Sequence, residues 1–375
     1  MITREKLFEC LGETAAAYPC AFERFGVYAE GTAKADALTD LLTAEGYTLC
    51  EERSVANNRF LLYRKENETV HVDISEAMGT TRVIVSPEGD LFTGAGDLDA
   101  KGTVTMTLMN MDYENQSAKN NGYGFIITLA DGGFLIYDGG WPTETDGLWE
   151  YLRSHTPAGE KPRVEGWILT HSHGDHYLCF MEYMKKYADE TDIKRIIYGP
   201  AHAECFVQGS DRTLYDKVPP MAAEKGIELV IPYAGQVLNF PGVEMEVLLT
   251  ADDWYPEKVP HDNNVSFVTR LRFPTKGGTT VLMPADMMGR GCNRLVDQYG
   301  AYLKSDILQV PHHGCNGTTM EIIWAADPEK VIYTTSQRFF QEWTTHSTRG
   351  WNNYLMYSRN VKHAFVADGG YQTIL

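Results

Sequence analysis

The sequence predicts an α/β protein built as an αββα sandwich, two sheets packed face to face with helices outside, preceded by a small N-terminal α+β domain. Three observations carry that prediction. From about residue 103 onward, apolar runs of strand length alternate with helix-length amphipathic stretches, the mixture that layered α/β domains produce. Between residues 86 and 101 the chain turns polar and glycine-bearing, through Ser86-Pro87-Glu88-Gly89-Asp90 and Gly94-Ala95-Gly96-Asp97, which is connector composition. The 375 residues suffice for one large and one small domain at roughly 100 to 200 residues per domain. The domains are placed at residues 1–95 and 103–375.

In the first domain, residues 33–45 set Ala37, Leu38, Leu41 and Leu42 at helical spacing, with Thr32 as a cap and Gly46 as a stop. Strand-length runs follow at residues 47–51, 59–64, 69–75 and 81–85, so a helix precedes a small antiparallel sheet. The alternation Val70-His71-Val72 turns His71 toward solvent on this reading. The domain carries no cluster of ligand-type residues, which suits a dimerisation or substrate-gating module, or a stabilising extension.

In the second domain, strands are expected at residues 103–109, in a hairpin over 124–138, and at 166–169, 195–198, 243–249, 265–273, 279–283, 307–310 and 331–334. Helices are expected at 148–155, 178–186, 211–225, 286–299 and 318–326. Two such sheets bring the loops at the strand ends to one edge.

One of those loops says most about chemistry. Apolar Gly166-Trp167-Ile168-Leu169 leads into Thr170-His171-Ser172-His173-Gly174-Asp175-His176, where His171, His173, Asp175 and His176 crowd the end of a buried strand. Imidazole nitrogens and carboxylate oxygens are the donors that zinc and similar divalent ions accept in sites left open to water. A tight loop lets His171 and His173 face one way and Asp175 and His176 another, which suits two adjacent ions.

The string H-x-H-x-D-H resembles the first metal motif of the metallo-β-lactamase-fold hydrolases. Other parts of that pattern occur in order. The segment from Gly124 to Gly140, with its Asp131-Gly132 turn and closing Asp138-Gly139-Gly140, resembles the family's opening hairpin. Thr280-Val281-Leu282-Met283-Pro284-Ala285-Asp286 resembles the strand that delivers an aspartate bridging both ions, and Ser305 to Gly314 the strand that delivers the last histidine. Asn263-Asn264-Val265-Ser266, the His312-His313-Gly314 run and a late His346 resemble the ComEC-type and phosphorylcholine-esterase-like branch. The resemblance covers about residues 103–375 and implies the metallo-β-lactamase-like sandwich. It also implies that Asp138 braces the metal loop without binding metal.

The sequence departs from the family at two points. Most members place a histidine between the first motif and the bridging aspartate, where this chain has the Asn-Asn-x-Ser run. His261 is the first candidate for that third ligand, followed by Asn263, Asn264 and His202. Cys315 stands where serine more often follows the glycine; a soft ligand or, the favoured reading, a small apolar filler would explain it. Neighbouring side chains at a strand end alternate faces, so one of His312 and His313 should bind metal while the other lies behind it or meets substrate. His346, flanked by Trp343 and Arg349, is a candidate for substrate contact and, with Asp175, for a catalytic role.

The resemblance implies two divalent ions, zinc first with manganese or iron as alternatives. His171, His173 and the third ligand would hold one; Asp175, His176 and one of His312 and His313 the other; Asp286 would bridge. A water between them, its pKa lowered from about 15.7 to about 7, would attack phosphorus or a carbonyl carbon. A small phosphodiester or related ester is the expected substrate. The alternatives are an acyl-substrate hydrolase (lactonase, thiolesterase or β-lactamase-like) and a non-catalytic metal-binding interaction protein. A redox di-iron role is disfavoured, because the members that reduce oxygen or nitric oxide carry Glu where His173 stands and a flavin domain whose glycine-rich loop is missing here.

Charge bears on the partner. With 51 acidic against 33 basic residues and a net charge of −18, the surface repels phosphate backbones that bind by counterion release, so a small anionic or ester substrate is expected and nucleic acid is not. Two bound divalent ions would still make the site itself positive. Seven cysteines without paired spacing read as reduced thiols of the cytoplasm. Charges at Arg4, Glu5 and Lys6 argue against a signal peptide. No run approaches the roughly 18 apolar residues of a membrane span. A homo-oligomer formed through the N-terminal domain is a further expectation.

Overall fold

A computed structural model describes residues 1–87, 92–111, 121–205, 212–259, 261–345 and 350–375. The expectations for His346 and Arg349 fall outside these residues.

The N-terminal part is a six-stranded antiparallel sheet with two helices on one face. In sheet order the strands are Ala16–Pro19, Phe25–Glu30, Thr80–Ser86, Glu68–Ser75, Asn58–Lys65 and Thr48–Val55. Helix Arg4–Leu11 starts where Thr3 Oγ1 accepts from Lys6 N and stops at Gly12. It joins helix Ala35–Ala44 in burying Leu7, Leu11, Leu38 and Leu42 against Val70, Val72, Val83 and Val85. This first helix and the two leading strands were not foreseen. Nor does Thr32 cap the second helix: its N-cap is Lys34 without a side-chain bond, and Thr32 contributes only its carbonyl to Ala35 N.

The opposite face of that sheet also lies against protein, which corrects the expectation for His71. Its ring is buried and stacks on Tyr233 of the second domain at 4.6 Å with planes 8° apart. Alternation along a strand shows which residues share a face; a domain that covers the outer face leaves no mark in that local pattern. The seam is further tied by Arg24–Asp252 at 2.8 Å, Arg53–Glu246 at 2.9 Å, and Asn58 Nδ2 donating to Gln298 O at 2.8 Å.

The second domain is the expected αββα sandwich. One sheet runs, in order, Glu228–Val230, Arg195–Tyr198, Arg163–Leu169, Phe134–Asp138, Gly124–Thr128, Thr105–Leu108 and Gln372–Thr373, with Asp192–Ile193 pairing beside Arg163–Leu169. The other runs Val237–Phe240, Val243–Leu249, Val268–Phe273, Thr279–Met283, Ile307–Gln309, Lys330–Tyr333 and His363–Val366. Ile126, Ile136 and Trp167 of the first sheet share one core with Val247, Leu271, Val281 and Ile332 of the second. Helices Thr145–Ser154 and Gly174–Lys186 add Leu148, Leu152, Phe180 and Tyr183 to that core, whereas Gly289–Tyr299 and Met320–Ala326 pack Leu295, Ile322 and Ile323 into a separate cluster with Leu282, Leu308 and Val331. Among the described residues no helix is long and apolar enough to cross a membrane.

Chain direction places the site. Phe134–Asp138, Arg163–Leu169 and Arg195–Tyr198 run parallel in one sheet, and Thr279–Met283, Ile307–Gln309 and Lys330–Tyr333 in the other. Each set therefore ends at a common edge, and the loops leaving those ends carry His171, Asp286 and His313 together.

Candidate metal centre

The site starts from Asp138, last residue of its strand and completely buried. Its Oδ1 accepts from Thr170 N at 2.8 Å, and its Oδ2 from Thr170 Oγ1 and from His176 Nδ1 at 2.8 Å. This carboxylate thus holds the histidine loop at its root and fixes the His176 ring so that Nε2 faces the cleft, where it lies 3.3 Å from Asp286 Oδ1. Gly139 and Gly140, both at positive φ, let the chain turn close under the loop. Gly140 N donates to His176 O, Cys179 N donates to Gly140 O, and a Cβ on Gly139 would stand 3.1 Å from Cys179.

From the other sheet, His313 Nδ1 donates to Thr334 O at 2.8 Å, leaving Nε2 at 3.2 Å from Asp175 Oδ2 and 3.1 Å from Asp286 Oδ2. Two clusters result. Asp175, His176, Asp286 and His313 form one; His171, His173 and Asp286 form the other; within each, the ligand atoms lie within 4.8 Å of one another. Asp286 belongs to both. Asp138, Ala285, His312 and His313 all hold positive φ without being glycine, a backbone cost that tends to persist where a site over-determines it.

Buried His171 Nε2, His176 Nε2, His313 Nε2 and Asp286 Oδ1 have no hydrogen-bond partner. Orphaned polar atoms are costly in an interior, and four converging from three loops fit a cation that each would ligate. The charges agree. Burial opposes it, yet Asp286 and Asp138 lift His176 to about 10, and Asp286 and Asp175 lift His313 to about 10. Against the same burial, His313 and His176 hold the Asp286 carboxyl far below its ordinary range. Burial, then the neighbouring His176, pushes His171 and His173 down.

The remaining candidates are placed as follows. His261 is exposed, its Nδ1 accepts from Asn263 N at 3.2 Å, and its ring centre lies 6.1 Å from that of His173; it stands outside both clusters, acting as the cap of the Asp262–Val265 turn. Asn263 is buried, gives its Nδ2 to Met288 Sδ and leaves Oδ1 without a partner. Asn264 Oδ1 is taken by Met288 N, and His202 Nδ1 by Glu204 N. His312 corrects the alternation argument. The strand ends at Gln309, and His312 and His313 sit in a left-handed turn beyond it, so both rings approach Asp286 Oδ2, His312 at 3.9 Å and His313 at 3.1 Å. Cys315 is no buried filler: half-buried, it places Sγ 3.3 Å from His312 Nδ1. Trp343 is buried and stacks on Phe339 at 5.2 Å. Sequence reasoning missed Thr170 and Thr334 as bracing residues and Tyr123, stacked on His176 at 4.9 Å. The signal for Thr334 was its position just past the Lys330–Tyr333 strand, on the ligand edge.

The family model described as the metallo-beta-lactamase superfamily matches residues 120–335. The chain belongs to this superfamily. The match is to the superfamily as a whole, and it encloses both clusters. No curated protein sequence matches the chain. Similar solved structures include CmlA, a diiron β-hydroxylase from Streptomyces venezuelae (13% identity, 73% of this chain and 54% of that one, TM-score 0.42). The human short-form tRNase Z (14%, 72% and 98%, TM-score 0.38) and unliganded yeast PDE1 (10%, 73% and 100%, TM-score 0.41) are also similar. This metallo-β-lactamase-fold chain spans only about half the length of CmlA.

Proposed function

We propose that this chain is a dinuclear metal-dependent hydrolase of a small phosphodiester or related ester. The observation that carries the reading is the pair of ligand clusters sharing Asp286, with their free nitrogens directed into one cleft. Asp175, His176 and His313 would hold one divalent ion, His171 and His173 the other, with Asp286 between. For the ion at His171 and His173, Asn263, whose buried Oδ1 has no partner, is the candidate third ligand, since His261 has its Nδ1 engaged by Asn263 N. Such ions supply a water that ionises near neutral pH and positive charge against the oxygen that becomes negative. The chain's part is positional. Asp138 and the Thr334 carbonyl fix the tautomers of His176 and His313 through Nδ1. Asp175, with 18% of its side chain exposed, is the cluster carboxylate that reaches the open side, where it can take a proton from water. His312, partly exposed beside Asp286 and with its Nδ1–H given to Asn316 O, turns an accepting Nε2 toward the cleft, where it can receive a hydrogen bond from water or from a substrate hydroxyl.

A net charge of −18 supports a small substrate over a nucleic acid. Seven unpaired cysteines support a reducing compartment such as the cytoplasm. Both faces of the N-terminal sheet are occupied within the chain, so association of copies through this domain would use its helices or its Thr48–Val55 edge strand. The test is turnover of bis(p-nitrophenyl) phosphate with added Zn or Mn, beside a panel of lactones, thioesters and β-lactams. Phosphodiester turnover that Asp286→Ala removes is the expected result. Turnover of the acyl panel alone would replace the substrate class, and no turnover of anything would overturn the enzyme.

A further inference from the structure

Two of the histidine ligands have their braces: Asp138 fixes the His176 ring, and the Thr334 carbonyl fixes that of His313. The shared ligand, Asp286, needs one more than either. It follows Ala285, which holds a positive φ of 50° without being glycine, so the turn that carries the aspartate is backbone that its surroundings must hold in place. On one side, His312 N and Gln309 Nε2 donate to Ala285 O at 3.0 and 3.2 Å.

The other side of the turn is held by the Asn-Asn-x-Ser run. Asp286 N donates to Ser266 Oγ at 3.2 Å, and Met288 N donates to Asn264 Oδ1 at 2.9 Å. Two acceptors from one short segment thus take the main-chain N–H of the bridging aspartate and that of the second residue after it. Both acceptors are themselves fixed. Ser266 and Asn264 are buried, and Trp254 Nε1 donates to Asn264 O at 2.7 Å with the Arg294 guanidinium 5.2 Å over the indole. Gly291 leaves the Asn264 amide its space, since a Cβ there would stand 2.7 Å from Oδ1. One residue beyond Ser266, Phe267 N donates to Thr170 O at 2.9 Å, at the root of the histidine loop. The segment 264–267 therefore ties the loop bearing His171, His173, Asp175 and His176 to the turn bearing Asp286.

We infer that Asn264 and Ser266 are positioning residues of the metal centre, fixing the Asp286 backbone so that its carboxylate reaches both ligand clusters at once. The inference rests on the dinuclear reading above, and it gives the run a part in the site that requires neither of these side chains to touch metal. Because what they place is the shared carboxylate, losing either acceptor weakens both ions in step, unlike the loss of a ligand that belongs to one cluster.

Chelator competition with zinc on the whole chain, metal content being read by elemental analysis, compares the parent with Ser266→Ala, Asn264→Ala and His171→Ala. Ser266→Ala leaves the Asp286 N–H without its acceptor, and both affinities should fall about tenfold or more, as when a partner behind a metal ligand is removed, with the circular dichroism unchanged. His171→Ala, which strips one cluster, should cost one ion alone. Asn264→Ala should repeat the Ser266→Ala pattern, and it decides if that variant does not fold. A merely structural role would lower the urea midpoint of the chelated protein and leave both affinities at the parental value. That result, or a loss confined to one ion, would overturn the positioning role and leave the dinuclear centre standing. A parent that binds no zinc would overturn the dinuclear reading and this inference with it.

Discussion

The metal cleft and the interdomain seam both bury ionisable side chains, and the two regions resolve the cost in opposite directions. In the seam, burial wins. It pushes His71 down to about 3 and Asp73 up to about 7, even though Arg82 stands 3.5 Å from Asp73, so both groups favour their neutral forms. The charges that persist there are held in ion pairs such as Arg24–Asp252 and Arg53–Glu246. In the cleft, charge wins over the same burial: His176 and His313 rise and Asp286 falls. Tight opposite charges converging as two ligand clusters on one carboxylate mark a place suited to a cation, whereas neutralised groups against aromatic rings mark an internal joint.

The largest effect that would break this contrast comes from Asp286→Ala. It removes the one ligand both clusters share, so metal content by elemental analysis should fall from two ions per chain to less than one and turnover to background, with the circular dichroism unchanged. Retention of two ions would mean that the clusters are not joined as the geometry indicates. Asp138→Asn comes next. It leaves an oxygen for Thr170 N but removes the carboxylate behind His176, and losing such a partner typically lowers metal affinity about 10- to 100-fold. A chelator competition that finds no change would reduce Asp138 to a fold residue.

The cleft was far more legible in the sequence than the seam, for a physical reason. Ligand chemistry is written locally: His171, His173, Asp175 and His176 lie within one turn of chain, and Asp286 and the His312-His313 pair each follow an apolar strand whose parallel partners end at the same edge. Alternation and helical spacing also located most strands of the sandwich. His71 was misread because its neighbours in space, Phe60 and Tyr233, come from another strand and another domain. Edge strands such as Glu228–Val230 and Val237–Phe240 are too short and too mixed in polarity to show a period. The turn that brings both His312 and His313 toward Asp286 depends on left-handed backbone, which no residue in that run announces.

Titration of stability sharpens the seam's half of the comparison. His71 is neutral in the fold down to about 3 while the unfolded chain takes a proton below its ordinary 6.5. Its contribution is therefore complete above about 6.5 and is lost as pH falls toward 3. Asp73 has the opposite slope: with its folded value about 7 against an ordinary 3.8, its contribution is complete below 3.8 and is lost as pH rises toward 7. The two slopes oppose one another between pH 4 and 6.5, so the parent should be nearly flat there. The difference in unfolding free energy between parent and His71→Gln should shrink on acidification by up to about 1.4 kcal/mol per pH unit, and that between parent and Asp73→Asn should shrink on alkalinisation at a similar limiting slope. Parallel curves for all three proteins in urea melts would mean that neither group is held neutral.

The smallest effect should come from Tyr233→Phe. Tyr233 OH lies 2.6 Å from Ser86 Oγ and 3.1 Å from Thr69 Oγ1, and these two residues face each other across neighbouring strands. When the phenol hydroxyl is removed, the two side-chain hydroxyls can turn to one another, and the ring keeps its stack on His71. The cost should therefore stay near 1 kcal/mol, the net value of an ordinary buried hydrogen bond, read as a shift in urea midpoint with metal content and turnover unchanged. A trio of hydroxyls that can bond one another tolerates the loss of one member in this way. A drop in metal retention on Tyr233→Phe would instead show that seam and cleft form one cooperative unit, and the contrast between them would fail.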